Sequence, residues 1–393
     1  MILRFILFFG TFLFVLLGAH FSLYFSALHF FQVTDTGTKS FLLWATFLLA
    51  FSFFLSAFLI RLHGNPIFSA YYLFSAFWVG LLVQLLFAVV ALWVLAGIFK
   101  LAGIGLPLFH VASVFFGLAF VVAMCGAWNA FHPKVTNIEI GLKNLPAEWQ
   151  GKTVVQLSDV HLGAIHGVGF LNRVVDQVNA LKPDLVLITG DLFDGMDGDL
   201  TGFIDPLDRI KFKEGVFFVS GNHEGYLGLK ESMAVLGKTK IYHLKDEVKN
   251  VKGLQLVGLD FPMGNTTKDP KEVFGSAAYD PKKPTILMFH TPTTVLFSTQ
   301  SIMSQRSDAY WSPNLDVSYA KSMGVDLQLS GHTHSGQFPP FSWISKLVFK
   351  NHVQGLFTDG DFKLYTSAGT GTWGPPIRLF NPSEIVAIKL KSN

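Results

Sequence analysis

The chain has 393 residues, half of them hydrophobic and 41 of them Phe, with a formal charge of only +3. No basic stripe stands out, which argues against nucleic acid as a partner, and the single Cys125 excludes both a disulfide framework and thiolate metal ligation. Charge is unevenly divided: residues 1–131 hold only Arg4, Lys39, Arg61, Lys100 and Asp35, leaving 26 basic and 26 acidic residues for the rest.

From the amino terminus, four stretches are long and almost free of charge: 3–30, 41–60, 70–99 and 106–131. Roughly 20 apolar residues cross the hydrocarbon core of a bilayer, so each is long enough to span it. A cleaved signal peptide is the alternative for the first, but its apolar run is too long and no small-residue cleavage site precedes Thr34. Residues 1–131 are therefore read as an all-α region of about four transmembrane helices. Arg4, Arg61 and Lys134 fall on one side of the four spans and Lys39 and Lys100 on the other. Three against two leans toward a cytoplasmic carboxyl-terminal domain. The spans contain no Asp or Glu, which argues against a coupled transport pathway. His20, His29 and His110 read as packing or interfacial residues, and anchoring is the expected role.

Residues 132–393 can form one large α/β domain. Within them, five short apolar runs each end on polar residues. The run 153–158 leads to Asp159 and His161, and 184–189 leads to Gly190 and Asp191, with Asp194 following. The run 215–220 leads to Gly221-Asn222-His223-Glu224, 285–289 leads to His290, and 326–330 leads to Gly331-His332-Thr333-His334. Such runs read as buried strands, and α/β folds gather their chemistry at the carboxyl ends of strands. Taken singly, three segments have a plainer reading: a turn at Asp159, a helix N-cap at Asp191, a hydrogen-bonded core histidine at His290. The two imidazoles between glycines at 331–336 favour metal even alone, since no strand or helix core explains them. Asp194 is either an orienting carboxylate or a cap. Together they make an inventory of oxygen and nitrogen ligands suited to two divalent cations. That set fits Mn, Fe, Zn or Ni better than Ca.

In this order the segments resemble the calcineurin-like metallophosphoesterases, over about residues 135–388. The stretches Leu157-Ser158-Asp159 and Gly371-Thr372-Trp373-Gly374-Pro375-Pro376-Ile377-Arg378 are similar to the bacterial membrane-associated branch. The resemblance implies a four-layer α-β-β-α sandwich of two mixed sheets. It also implies a ligand partition, with Asp159, His161 and His334 on one metal, Asn222, His290 and His332 on the other, and Asp191 bridging. His223 would be the acid that binds no metal, which makes His223 and Asp191 the expected catalytic residues. A hydroxide shared by the two cations would attack a phosphodiester, phosphomonoester or pyrophosphate bond. Residue 335 is Ser where the branch often has Gly.

The stretch 291–325, with Met303, Tyr310 and Trp311, is expected either as a lid over the metals or as a plain surface loop. After the last ligands come Phe338, Phe341, Trp343, Ile344, Leu347, Val348 and Phe349, interleaved with Lys346 and Lys350. They either enter a bilayer interface or are buried in the domain core. Partners are accordingly a lipid bilayer and a phosphorylated small-molecule or lipid substrate, in a multi-pass protein of a bacterial inner membrane. Two other readings compete: a catalytically inactive binding or sensor module on this fold, and a transporter with an accessory enzyme domain.

Overall fold

A computed structural model describes residues 2–62, 64–195, 199–262, 268–296 and 312–393. The expected lid residues Met303, Tyr310 and Trp311 lie outside the described residues. The chain divides into two compact units, Met1–Trp128 with Gly374–Ile377, and Asn129–Trp373 with Arg378–Asn393.

The first unit is built from α1 (Ile2–Phe30), α2 (Thr36–Leu62), α3 (Pro66–Leu101) and α4 (Leu108–Phe131), all long and apolar enough to cross a membrane. Local chemistry places the helix starts earlier than the apolar runs do. Asp35 accepts the Thr38 backbone N–H at 2.7 Å, so α2 begins five residues before the run at 41. Asn65 accepts from Ile67 and Phe68 at 3.0 Å and Pro66 takes the first helical position, which starts α3 before residue 70. Two histidines of these helices, His20 and His29, are held by packing within the unit. His20 Nδ1 meets the Leu16 carbonyl at 2.8 Å, its Nε2 accepts from Trp78 at 2.9 Å, and His29 stacks on Trp93.

The second unit contains two six-stranded mixed sheets. The first has the order β1 (Lys134–Leu142), β12 (Glu384–Ser392), β2 (Thr153–Leu157), β3 (Leu185–Thr189), β4 (Gly215–Val219), β5 (Tyr242–His243). The second has the order β10 (Gly355–Asp359), β11 (Phe362–Thr366), β9 (Leu327–Ser330), β8 (Thr285–Phe289), β7 (Leu254–Leu259), β6 (Glu247–Val251). Strands β2 to β5 run parallel, as do β11, β9, β8 and β7, while β12 is antiparallel to β2.

Alternation along the strands builds the four layers. Val154, Leu185, Leu187, Phe217 and Val219 point inward and share one core with Leu256, Ile286, Met288, Leu327 and Leu329 of the opposite sheet. Val155, Leu157, Val186 and Ile188 point outward, onto α5 (Val168–Ala180). That helix answers with Phe170, Leu171, Val174, Val175 and Val178, a stripe at helical spacing. On the other outer face Val257, Leu259, Leu287 and Phe289 pack with Val273, Phe274, Ala320 and Val325. Strands covered on both faces read as largely apolar runs, as at 185–188, 216–219 and 286–289, whereas 326–330 alternates and buries Gln328 and Ser330 through hydrogen bonds. Gln156 is a buried polar side chain between the sheets. Its amide donates to Thr189 Oγ1 at 3.0 Å and to the Ser330 carbonyl at 2.9 Å, tying the exits of β3 and β9 together.

Candidate metal centre

Five strands of the parallel blocks, β2, β3 and β4 in one sheet and β8 and β9 in the other, end at one place. The loop after β2 carries Asp159 and His161, that after β3 carries Asp191 and Asp194, and that after β4 carries Asn222 and His223. His290 follows β8, and His332 and His334 follow β9. All nine side chains are buried.

The backbone of these loops is unusual. Asp159, His161, Asp191, His332 and His334 all have positive φ, between 48° and 72°. Left-handed backbone at residues other than Gly costs on the order of 1–3 kcal/mol each where it is strained, and it persists only where surroundings enforce it. Here the exits of β2 and β3 are laced together by Asp159 N–H to Gly190 O, His161 N–H to Asp191 O and Leu162 N–H to Leu192 O, at 2.9–3.1 Å. Glycine enables the close approach: a Cβ at Gly221 would collide with Asp191, and one at Gly331 with Asp159 and Ser158.

Two groups of donor atoms result. In the first, His161 Nε2 lies 3.0 Å from His334 Nε2, which lies 3.4 Å from Asp159 Oδ1. In the second, Asn222 Oδ1 lies 3.1 Å from His290 Nε2 and 3.0 Å from His332 Nδ1, and Asp191 Oδ2 lies 3.1 Å from His290 Nε2. Asp191 also faces the first group, with Oδ2 3.8 Å from His161 Nε2. Its other oxygen accepts the His223 backbone N–H at 2.8 Å.

Whether these atoms fit cations can be read from their lone pairs. His290 directs Nδ1 to the Thr189 carbonyl at 2.9 Å, so that nitrogen carries the proton and Nε2 presents a lone pair. Asn222 Oδ1 is also an acceptor, and two acceptors 3.1 Å apart repel unless a positive charge lies between them. Ligands about 2.0–2.2 Å from a divalent ion sit about 3.0–3.6 Å from one another, the spacing seen in both groups. Protonation preferences agree. Burial, reinforced by His290, holds His332 down at about 3. Burial with His161 and Arg378 holds His334 well below the imidazole range, so both rings stay neutral and free to ligate. Burial opposes charge on His290, yet Asp191 and Asp159 push it up to about 9, so without an ion Nε2 also takes a proton, and a cation held there would stand in that proton's place.

Around the donors stands a supporting set. Asp194 faces His161 Nδ1 at 3.4 Å, and its backbone carbonyl meets His223 Nδ1 at 2.6 Å, the position of an orienting group. Three further residues carry roles that the sequence did not assign. Glu224 is fully buried and accepts the backbone N–H groups of Asp191, Phe193 and Gly221 at 2.7–3.1 Å, clamping the exits of β3 and β4 together. Burial, then Asp191, pushes its carboxyl up to about 7. Arg378 is also fully buried, and Nη2 donates to the carbonyls of Ala368 and Gly371 at 2.6 and 2.7 Å. Both Nη2 hydrogens are thereby used. Its 3.2 Å approach to His334 Nδ1 is a packing contact that leaves His334 Nε2 turned to the donors. Burial lowers Arg378 to about 10, so it remains charged at neutral pH. His166, neutral through burial, accepts from the Thr372 N–H at 2.9 Å and fixes the same loop. The only hint in sequence was that Arg378 and Thr372 belong to one stretch rich in Gly and Pro.

The calcineurin-like phosphoesterase family model matches residues 152–336, which hold all seven candidate ligands and His223. An uncharacterised metallophosphoesterase of Helicobacter pylori J99 is 32% identical over 285 residues, covering 70% of each chain. The chain belongs to the calcineurin-like metallophosphoesterases. Membership implies a phosphoric ester hydrolase that uses divalent metal. The transmembrane protein with metallophosphoesterase domain of Danio rerio is 31% identical over 288 residues, 69% of this chain and 60% of that relative. Among solved structures, a dimetal phosphatase from Danio rerio aligns over 56% of this chain and 88% of its own, at 14% identity and a TM-score of 0.32.

Of the segment after the last ligands, the structure makes a division. Phe338 and Phe349 are buried, contrary to an interfacial role, because Phe338 sits edge-on beneath Phe341 at 5.4 Å and Phe349 packs near His332. Phe341, Trp343, Ile344 and Leu347 are exposed.

Proposed function

We propose that this metallophosphoesterase is a membrane-anchored hydrolase with a dinuclear centre that cleaves a phosphodiester, phosphomonoester or pyrophosphate bond, on a lipid-linked substrate or a small phosphorylated molecule. The observation that carries it is the position of Asp191, within reach of both donor groups through a single oxygen. Asp159, His161 and His334 would hold one cation, Asn222, His290 and His332 the other, and Asp191 both. When bound, such a pair supplies an activated water and offsets charge on phosphoryl oxygens.

The chain's own residues do the remainder. Asn222 gives its site a neutral oxygen where a third carboxylate would repel an anionic substrate. His223 takes two bonds from the fold, its backbone N–H on Asp191 and its Nδ1–H on the Asp194 carbonyl, which leaves Nε2 as an open lone pair that can deliver a proton to the departing oxygen only after taking one up. Burial keeps this imidazole below its ordinary range, against the pull of Asp191. Tyr226 and Trp373 flank the ring, with centroids 4.8 and 6.2 Å away, and limit how a leaving group approaches.

In detergent, the metal-loaded chain is expected to hydrolyse bis-p-nitrophenyl phosphate. His223→Ala should keep its metal and lose turnover by about 10²–10⁴-fold. A fully loaded wild-type chain that cleaves no phosphate ester would contradict the proposal. The cytoplasmic placement in a bacterial inner membrane belongs to the same proposal, supported by Arg4, Arg61 and Lys134. Digestion of the catalytic unit by protease added outside intact cells would refute it.

A further inference from the structure

Among the described residues of the catalytic unit, ten large apolar side chains are exposed, and six of them lie around one loop. Phe341, Trp343, Ile344 and Leu347 come from the helix Phe341–Phe349, and Trp373 and Phe380 from the segment that follows β11. Leu347 is 77% exposed, Trp373 58% and Phe380 92%, values far from those of a packed surface. Residues 334–338 join them. This loop begins at the candidate ligand His334, and Gln337 holds Trp373 by two bonds, donating to its carbonyl at 3.0 Å and accepting its N–H at 2.8 Å. The Leu379 N–H reaches the Gln337 carbonyl at 2.9 Å, and Asn381 reaches the Ser335 carbonyl at 2.8 Å, so Phe380 is carried on the same loop. Ser342 donates its N–H to the Phe338 carbonyl at 3.0 Å, which starts the helix from there. Trp373 in turn lies beside His223. The apolar side chains therefore form a rim carried on the loop that leaves the centre at His334, with Trp373 beside His223.

We propose that this rim is a bilayer-contacting surface, through which the catalytic unit engages the headgroup layer of an anionic membrane and draws a lipid phosphate ester into the centre. Two observations select a bilayer as the occupant. The chain itself carries four helices of membrane-spanning length and composition, so a lipid surface is always within the tether of this unit. The helix also mixes exposed aromatic and aliphatic side chains with exposed Lys346 and Lys350, the combination that seats a surface helix in a headgroup region of negative charge. The inference deepens the phosphoesterase reading by naming its substrate class, and only its activity arm rests on that reading.

The test uses the full chain in proteoliposomes of phosphatidylethanolamine and phosphatidylglycerol. In a Cys125→Ser background, Leu347→Cys and Phe380→Cys are labelled with an environment-sensitive nitrobenzoxadiazole dye. Lys249→Cys, on strand β6 away from the rim, is the aqueous control. Lipid-borne doxyl quenchers are expected to quench the labels at 347 and 380 at least about twofold more than the label at 249, with iodide showing the reverse order. Equal iodide quenching at all three sites would overturn the proposal. So would shielding from both quenchers that is lost on dilution into excess lipid, the sign of a contact between copies.

For activity, Leu347→Asp with Phe380→Asp should lower hydrolysis of a vesicle-embedded phosphodiester lipid at least about tenfold and leave soluble bis-p-nitrophenyl phosphate unchanged. Equal loss on both substrates, or loss on neither, counts against the surface. A chain that hydrolyses nothing yet buries both labels defeats the enzymatic reading alone, and an active chain with both labels in water defeats the surface alone.

Discussion

The two sheets feed the centre with different chemistry. The first supplies Asp159, His161, Asp191 and Asn222, hence both carboxylates and the amide. The second supplies His290, His332 and His334, imidazoles alone. Neither donor group closes within one sheet: His334 crosses to Asp159 and His161, and His290 and His332 cross to Asp191 and Asn222. Metal binding is therefore coupled to how the sheets face each other, and the inter-sheet core around Leu187, Met288 and Leu329 acts as part of the site's support.

Removing the ions is the harshest way to break that coupling. Chelation should abolish hydrolysis and also lower the thermal midpoint, because ligands that bind only the folded chain stabilise it by about 2.7 kcal/mol at a hundredfold excess over Kd. An unchanged midpoint by scanning calorimetry would mean that the ions do not bridge the sheets. Next come the imidazoles of the second sheet. His334→Ala and His290→Ala should each leave about one ion per chain, measured by mass spectrometry of the metals. A variant that keeps both ions removes its histidine from the ligand set. Smaller effects belong to Arg378→Met, which should weaken metal binding by about 10–100-fold while the chain stays folded. Rescue by Arg378→Lys would show that charge alone suffices and that the fork of bonds to Ala368 and Gly371 is dispensable. The mildest test pairs two core truncations. Leu187→Ala should cost about 2–5 kcal/mol in denaturant unfolding, and Val174→Ala, which deletes less apolar volume, a smaller amount. Only Leu187→Ala, between the sheets, should also reduce metal affinity, whereas Val174 faces the outer helix layer. Equal affinities in the two variants would uncouple sheet packing from the centre.

What could be read from sequence follows from the range of the interaction. Apolar runs without charge revealed the four long helices, and short apolar runs broken by Gly, Asp, Asn and His revealed five strands and the residues that leave them. Both patterns are local. Helix starts were missed by four or five residues at Asp35 and Asn65, since a single capping side chain outweighs the hydropathy of its neighbours. The left-handed backbone at Asp159, His161, Asp191, His332 and His334 was not legible, because bonds to loops distant in sequence impose it. Glu224 reaches back 33 residues to Asp191, and Arg378 reaches 44 residues to His334, so neither role leaves a periodic trace. Interface or core was a false choice for residues 338–349, where one short helix buries Phe349 and exposes Leu347.

The central claim is that one carboxylate serves two cations. Metal content per chain, measured on purified wild type and Asp191→Ala after equal loading, tests it most directly. Two ions in the parent and close to none in the variant are expected, with both proteins folded by circular dichroism. One ion retained in Asp191→Ala would show that the two sites stand independently, and the shared-carboxylate account would be wrong.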